Sequence, residues 1–459
     1  MIRVYKHLGG GIENKENFTS IFDSLRVGEN GFGRKRLKYD DLIFCHRFPV
    51  SETMMEPVTV AIVGVGGYGA VHVRAARALE GEGLIRISAV VIRSPEKYPR
   101  EVADFRGKGV TVYNNFEDLL VGEKGRTEII ALPTAIHQHR DMTIMALEAG
   151  FNVLVEKPPA VTIQDLDAMI AAEKRSGRFC AVGFQFQSKT IVRRLKTLIC
   201  EDGLGEIVSV SAKGKWKRLD SYYTRNTWAG KLMCDGEYVL DGSISNPLAH
   251  YLMNSLYLAS REWGRAADPI KVRAELYRGH RIEGEDTACL EVEVSGGARI
   301  YFYTTLCNPV QSSPAHRIVG TKGVAEWTVG GDAQIIYSDG RRELIREDGK
   351  DERVEMFRNI ARYVRGLDKE INCPLEMTRP FVLAVNGAYE SARMIKDIPD
   401  RFLIKREESG SISTTIIGIE EIIDKAYESQ QMYSDMGVEW AYRTDYFPLK
   451  GYRMFNLKM

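Results

Sequence analysis

No apolar run in this chain approaches the ~20 residues that a membrane-spanning helix requires, so no membrane partner is expected. Charge of one sign is missing as well: 63 Lys and Arg stand against 62 Asp and Glu, a formal net charge of +1. A chain whose work is gripping nucleic acid or an anionic lipid surface carries a larger basic surplus, and no nucleic-acid partner is expected either. The seven cysteines are odd in number, scattered, and never spaced as CxxC. That argues against a disulfide framework or a thiolate metal site and for reduced thiols in a cytoplasmic protein. The N-terminus shows no basic stretch followed by an apolar core and a small-residue cleavage site, so no export signal is read. Internal repeats and low-complexity tracts are also absent.

What is present is ordinary globular composition, 44% hydrophobic and 27% charged over 459 residues. That length exceeds the ~250–300 residues at which a single core stops growing, so two or three domains are expected. Residues 1–56 stand apart, Gly-rich, with the basic run Arg34-Lys35-Arg36 and no sustained period. Two readings stay open for them: an arm packing on the surface or on a partner subunit, or a start-codon artefact with the protein proper beginning at Met54 or Met55.

From Val58 the pattern alternates β-branched runs (Val58–Gly64, Ile85–Ile92, Ile129–Leu132, Val153–Val155) with helical stretches (Ala70–Glu80, His139–Ala149, Leu166–Ser176). Buried runs separated by helices predict a doubly wound parallel sheet, a Rossmann-like α/β domain over residues 57–177. After Gly177 long period-2 stretches appear (Ile207–Arg218, Val272–Tyr277, Ala288–Val294, Arg299–Thr305, Ala333–Ile345). They predict an α+β domain with a mostly antiparallel sheet over 178–400. Residues 401–459 read as an amphipathic helix, Ile417–Met436, with an aromatic tail.

The first chemical motif is Gly64-Val65-Gly66-Gly67-Tyr68-Gly69, directly after a strand and before a helix. Its spacing gives a tight turn, close backbone approach to a pyrophosphate, and strand–helix packing at the N–H groups of a helix start. A dinucleotide is therefore the expected cofactor. The second strand ends Ile92-Arg93-Ser94, with Ile92 where a ribose-binding acid is usual. Arg93 and Ser94 beside a missing acid suit a 2′-phosphate, so NAD(P) is expected with a lean to NADP. Glu156-Lys157-Pro158-Pro159 follows a strand end, where ligands of open α/β sheets sit. Lys157 there can orient a ribose and a substrate hydroxyl.

Together, Gly64–Gly69, Ala131-Leu132-Pro133-Thr134, His139 with Ala146-Leu147-Glu148-Ala149-Gly150, and Glu156-Lys157-Pro158 resemble the glucose–fructose oxidoreductase/inositol dehydrogenase (Gfo/Idh/MocA) family over about residues 57–400. The resemblance implies an N-terminal Rossmann domain and a C-terminal domain with a large, open, mostly antiparallel sheet. It implies hydride exchange between a nicotinamide and a carbinol of a sugar, sugar acid or cyclitol, and homodimers or homotetramers associating through that sheet. It also places the glycine loop, Leu132, Pro133, Thr134, His139, Glu156 and Lys157 at the cofactor. The family's catalytic lysine falls on Lys157, and its D-x-x-x-H element on Asn246-Pro247-Leu248-Ala249-His250. That spacing sets both side chains on one side of a helix start, with His250 as candidate base kept neutral by the helix terminus.

This sequence departs from the family at Asn246. Asn246-Pro247 also reads as a helix cap, and nearby Asp241 offers a carboxylate in its place. Tyr222, Tyr223, Arg225, Asn226 and Trp228, in the loop from Trp216 to Gly230, read either as a sugar-binding loop or as a subunit contact. Gln185 and Gln187 are expected to face the same cleft. Alternatives to net dehydrogenation are a cofactor-recycling elimination, epimerisation or glycosidic cleavage, and a non-catalytic NAD(P)-binding protein.

Overall fold

The computed structural model describes residues 55–457, so the readings of residues 1–54 lie outside it. Six strands form the first sheet: β1 (Val58–Val63), β2 (Ile85–Val91), β3 (Thr111–Tyr113), β4 (Ile129–Leu132), β5 (Asn152–Val155) and β6 (Cys180–Val182). All are parallel, in the order β3-β2-β1-β4-β5-β6. Every side chain of β1 is buried, as a strand with helices on both faces demands. The helices Gly69–Glu80, Pro99–Gly107, Phe116–Gly122, His139–Glu148 and Ile163–Ser176 connect the strands. Local chemistry bounds them: Asn115 and Thr162 accept from Asp118 and Asp165 backbone N–H groups at two starts, and Gly177 closes the last in the left-handed region.

The boundary expected at residue 177 falls short. β6 lies beyond it, and the late helix Glu352–Val364 packs Met356, Phe357, Ile360 and Ala361 into the core beneath β1 and β2. Both additions arise from long-range packing rather than local pattern.

The second sheet starts with β7 (Ile207–Lys215). A hairpin follows, β8 (Met233–Cys234) and β9 (Glu237–Tyr238), then β10 (Pro269–Arg278), β11 (Thr287–Val294), β12 (Arg299–Thr305), β13 (Ala315–Gly320), β14 (Gly323–Thr328), β15 (Ala333–Tyr337) and β16 (Arg342–Ile345). With β17 (Lys396–Asp397) the order is β16-β15-β14-β13-β7-β12-β11-β10-β17, antiparallel except at β7–β12 and β10–β17. Alternation divides its residues: Ala274, Leu276, Leu290, Ile300 and Phe302 join the main core with the helices Ala249–Ala259 and Arg379–Ala392.

Over β10–β12 the opposite face is covered, while on β15 and β16 Ile336 and Leu344 stay exposed. Tyr277, Cys289, Tyr301 and Tyr303 are covered by the chain's own C-terminal segment, through Ile419, Ile423, Tyr427, Tyr433 and Trp440. That segment is more than a helix and tail. It begins with a hairpin, β18 (Leu403–Glu408) and β19 (Ser411–Ile416), and its helix runs only Ile419–Ser429, ended by Gln430 in the left-handed region. Later β20 (Phe447–Pro448) pairs with β10, and Phe455 is buried against Tyr238 and Tyr389. Among the described residues no helix is long and apolar enough to cross a membrane.

Candidate active site

A cavity of about 710 Å³ opens beyond the carboxyl ends of β1, β2 and β4 and is lined by Gly64, Gly66, Tyr68, Arg93, Ser94, Pro133 and Thr134. The turn into the helix Gly69–Glu80 suits an anionic ligand for a stated reason. The helix has no side-chain cap and no acid in its first turn, so its first N–H groups are left to a ligand. Gly69 is required by packing, since a Cβ there would stand 2.2 Å from the Gly64 carbonyl oxygen. A Cβ on Gly66 would meet the Tyr98 hydroxyl at 2.1 Å, so part of the clearance at this glycine is filled by protein. These residues fit a dinucleotide. Arg93 and Ser94 line the cavity, joined by Lys97 and, across it, by Glu117.

Beyond the carboxyl end of β5, the neighbour of β4, three elements bring the catalytic candidates together. Lys157, after β5, donates through Nζ to the backbone oxygen of Asn246 at 2.8 Å and to its Oδ1 at 2.6 Å. Asn246 in turn donates through Nδ2 to Asp241 Oδ1 at 2.7 Å. Asp241, 3% exposed, also accepts the Gly230 backbone N–H at 2.7 Å. The Asn246 side chain is thus committed to Lys157 and Asp241 and does not cap the helix, whose flanking Leu248 makes no side-chain cap. Burial pushes the Lys157 ammonium down from its ordinary value while the charges of Glu156 and Asp241 oppose it. Burial pushes the Asp241 carboxyl up, against the Gly230 and Asn246 hydrogen bonds.

His250 lies in the first turn of the helix Ala249–Ala259, between the Phe186 ring stacked at 4.9 Å and the Phe184 edge at 5.6 Å. Its Nδ1 is buried without a partner. Burial, then the charges of Lys157 and Arg353, hold the ring well below its ordinary pKa. His250 is therefore a neutral imidazole beside a lysine.

Several expected residues play supporting parts. His139 is buried with both ring nitrogens on carbonyls, Pro158 at 2.8 Å and Thr134 at 3.2 Å, so it braces the two loops rather than facing the cleft. Glu156 pairs with His72 at 2.8 Å and accepts the Lys157 N–H at 3.0 Å. Leu132 is wholly buried in β4. Asn226 Oδ1 accepts the N–H groups of Trp228 and Ala229, closing its own loop. Tyr223 packs on His280, and Gln187 donates to Asn254 in the interior. Gln185 does reach the glycine loop, its Nε2 donating to the Tyr68 hydroxyl at 3.4 Å. Trp228 lines the nucleotide cavity. Arg225 stacks on Tyr222 at 3.7 Å and lies 3.8 Å from Asp241. Arg353 was missed because nothing local marks it: it comes from the first turn of the helix Glu352–Val364 and reaches the Tyr68 hydroxyl.

Known proteins resemble this chain in sequence and in fold. The family model described as "Oxidoreductase family, NAD-binding Rossmann fold" matches residues 58–184. Glucose-6-phosphate 3-dehydrogenase of Bacillus subtilis is 26% identical over 156 residues, 34% of this chain and 42% of that enzyme, so the match spans under half of the relative. Inositol 2-dehydrogenase of Azotobacter vinelandii is 24% identical over 257 residues, 53% of this chain and 73% of the enzyme. In fold, the WlbA dehydrogenase of Bordetella pertussis, solved with NADH and UDP-GlcNAcA, superposes with a TM-score of 0.60 at 22% identity, covering 73% of this chain and 97% of that one. The glycine loop and the Glu156-Lys157-Pro158 turn both lie inside residues 58–184, and it is this stretch that matches the Gfo/Idh/MocA model of NAD-binding oxidoreductases, while the second sheet is shared with the solved structures in fold.

Proposed function

We propose that this protein is an NAD(P)-dependent oxidoreductase that exchanges hydride with a carbinol of a sugar, sugar acid or cyclitol. The observation that carries the reading is Lys157 after β5, fixed by Asn246 and Asp241, with His250 held neutral by burial and by the charge of Lys157. When bound, NAD(P) would supply the hydride acceptor or donor. His250 takes the hydroxyl proton in oxidation, Lys157 donates to the developing alkoxide, and the Asp241–Asn246 pair keeps Lys157 aimed. Arg93, Ser94 and Lys97 beside a strand end without an acid support a lean to NADP. The names of the relatives, which act on glucose 6-phosphate and inositol, support a polyhydroxylated substrate.

The test is a fluorescence titration with NADH and separately NADPH, followed by a sugar and cyclitol panel with the tighter cofactor. Binding of one, and turnover lost in Lys157→Ala and His250→Ala with cofactor affinity kept, is the expected result. A folded protein that binds neither nucleotide would end the reading. A second reading is favoured by one relative, the 2,7-anhydro-N-acetylneuraminate hydratase of Mediterraneibacter gnavus, 30% identical over 164 residues, 36% of this chain and 41% of that enzyme. Transient oxidation acidifies a neighbouring C–H bond and permits elimination before hydride returns. A product that keeps all its reducing equivalents distinguishes the two.

A further inference from the structure

The loop that follows β7 carries more positive charge than the proposed reaction uses. Arg218 lies 4.7 Å from the Trp216 ring centroid and 5.0 Å from that of Tyr222, and Arg225 lies 3.7 Å from the same Tyr222 ring. The Arg218 guanidinium donates to the Lys217 carbonyl oxygen at 2.9 Å and Gln311 Oε1 at 3.0 Å. It makes no ion pair among the described residues, and its Nε is buried without a partner. The Trp216 indole Nε1 beside it is also buried and unpartnered. The carboxylate near Arg225 is Asp241 at 3.8 Å, which is already committed to Gly230 and Asn246. Asp220, at the start of the short helix Asp220–Tyr223, pairs with neither arginine among the described residues.

This cluster is continuous with the reaction centre on both sides. Trp216 meets Tyr251 edge-on at 6.2 Å, next in sequence to His250. Arg225 meets Asp241, which leads through Asn246 to Lys157. Two guanidiniums on one aromatic ring repel each other, and an orphaned N–H costs free energy unless an acceptor reaches it. A group with several acceptor oxygens and negative charge answers both, and guanidinium forks bind such groups in two-point contacts.

We propose that Arg218 and Arg225, with the Trp216 indole N–H, form a subsite for an anionic substituent, carboxylate or phosphate monoester, on the sugar. The subsite rests on the reading of the cleft as a sugar site and narrows it to acidic or phosphorylated sugars. A neutral sugar or cyclitol can accept from the Arg218 Nε and Trp216 Nε1 groups that lack partners, but brings no charge to offset the two guanidiniums.

The test is calorimetric titration of the full chain at low ionic strength with glucose, glucuronate and glucose 6-phosphate, with and without NADH. At least one anionic probe is expected to bind about tenfold or more tightly than glucose, the worth of one charge-assisted contact, and to weaken with salt. Comparing glucuronate with glucose 6-phosphate separates carboxylate from phosphate. In Arg218→Gln/Arg225→Gln the preference for the anionic probe is expected to fall to the level of glucose, with NADH affinity unchanged as the check on folding; the single variants give intermediate losses. Equal affinities for charged and neutral probes, a preference that survives the double variant, or no binding of either anionic probe at millimolar concentration overturns the proposal. Failure of NADH to bind would instead sink the oxidoreductase reading, while the cofactor-free titrations still report on the subsite.

Discussion

Asn246 stands where an acid is expected, and its neighbour explains how the site accommodates it. Asn246 Nδ2 donates to Asp241 at 2.7 Å while Oδ1 accepts from Lys157 at 2.6 Å. An Asp at 246 would set two carboxylates in contact, and such a pair cannot both ionise cheaply. Asn246→Asp is therefore expected to lower kcat/KM at neutral pH on the order of tenfold or more. The Asp241→Asn/Asn246→Asp exchange, which restores one acid and one amide, should recover most of it. A pH–rate series of the three variants checks this, and an Asn246→Asp enzyme as active as the parent would show that the contact is not kept in solution. The same residues set the pH dependence. His250 must be neutral to act as base, and its pKa lies well below 6.5, so kcat/KM for oxidation should pass through pH 6.5 without an inflection there. Lys157 must be protonated to donate, and burial lowers its pKa from 10.5; the alkaline limb should thus fall at a pH below that ordinary lysine value. Removing the ammonium in Lys157→Met should cost about 10²–10⁴ in kcat with NADH affinity retained.

The loop 241–246 that presents Asp241 and Asn246 is itself held from behind. Glu285, wholly buried ahead of β11, accepts the Ile244 N–H at 3.1 Å and the Tyr389 hydroxyl at 2.5 Å, and its backbone oxygen accepts the Ser243 N–H at 2.9 Å. Burial, countered by the Tyr389 and Ile244 hydrogen bonds, pushes this carboxyl up from 4.5 to about 7. Between those values the native state keeps a proton that the unfolded chain has released. Stability from this group is therefore full below pH 4.5 and is lost as pH rises through about 7. At ~1.4 kcal/mol per pH unit, Glu285→Gln should flatten the urea-unfolding stability between these limits by about 3 kcal/mol relative to the parent. Parallel pH slopes in the two proteins would contradict the assignment. Elements like this mark where the sequence stops being legible. β1, the glycine loop and the alternating strands β7 and β10–β12 are spelled out locally, because β-branched runs and period-2 patterns depend on neighbours along the chain. Lys157 and His250 are singled out by the resemblance, and the charge of Lys157 acts on the His250 ring. Phe186 on His250, Arg353 on Tyr68, Tyr98 on Gly66 and Glu285 under the loop are contacts between residues far apart in sequence, which no local pattern encodes. For the same reason a boundary at residue 177 leaves out β6 and the helix Glu352–Val364, which pack with the first sheet.

At the scale of the whole molecule, the C-terminal segment takes a place that the resemblance would give to another subunit. Tyr277, Cys289 and Tyr303 are wholly buried beneath Ile419, Ile423, Tyr433 and Trp440. Lys213 and Lys215 hold Asp424 at 3.0 and 2.8 Å across the same contact. Surface ion pairs of this kind contribute at most ~1 kcal/mol, so the apolar and aromatic contacts carry the attachment. The part of the face over β10–β12 is thus taken by the chain itself, and uncovering it should create a sticky surface. Ile423→Asp puts an unpaired charge into the contact, which costs several kcal/mol, enough to lift the helix without deleting it. The variant is expected to bind a hydrophobic dye and to elute larger than the parent by light scattering. NADH binding should persist, because the cluster beneath the C-terminal segment is separate from both clusters that pack the Rossmann sheet. A variant with the parent's mass, no dye binding and unchanged stability would mean that the cover contributes little. One that loses NADH binding as well would mean that the two sheets unfold together, and that the C-terminal segment stabilises the reaction centre as well as the sheet it covers.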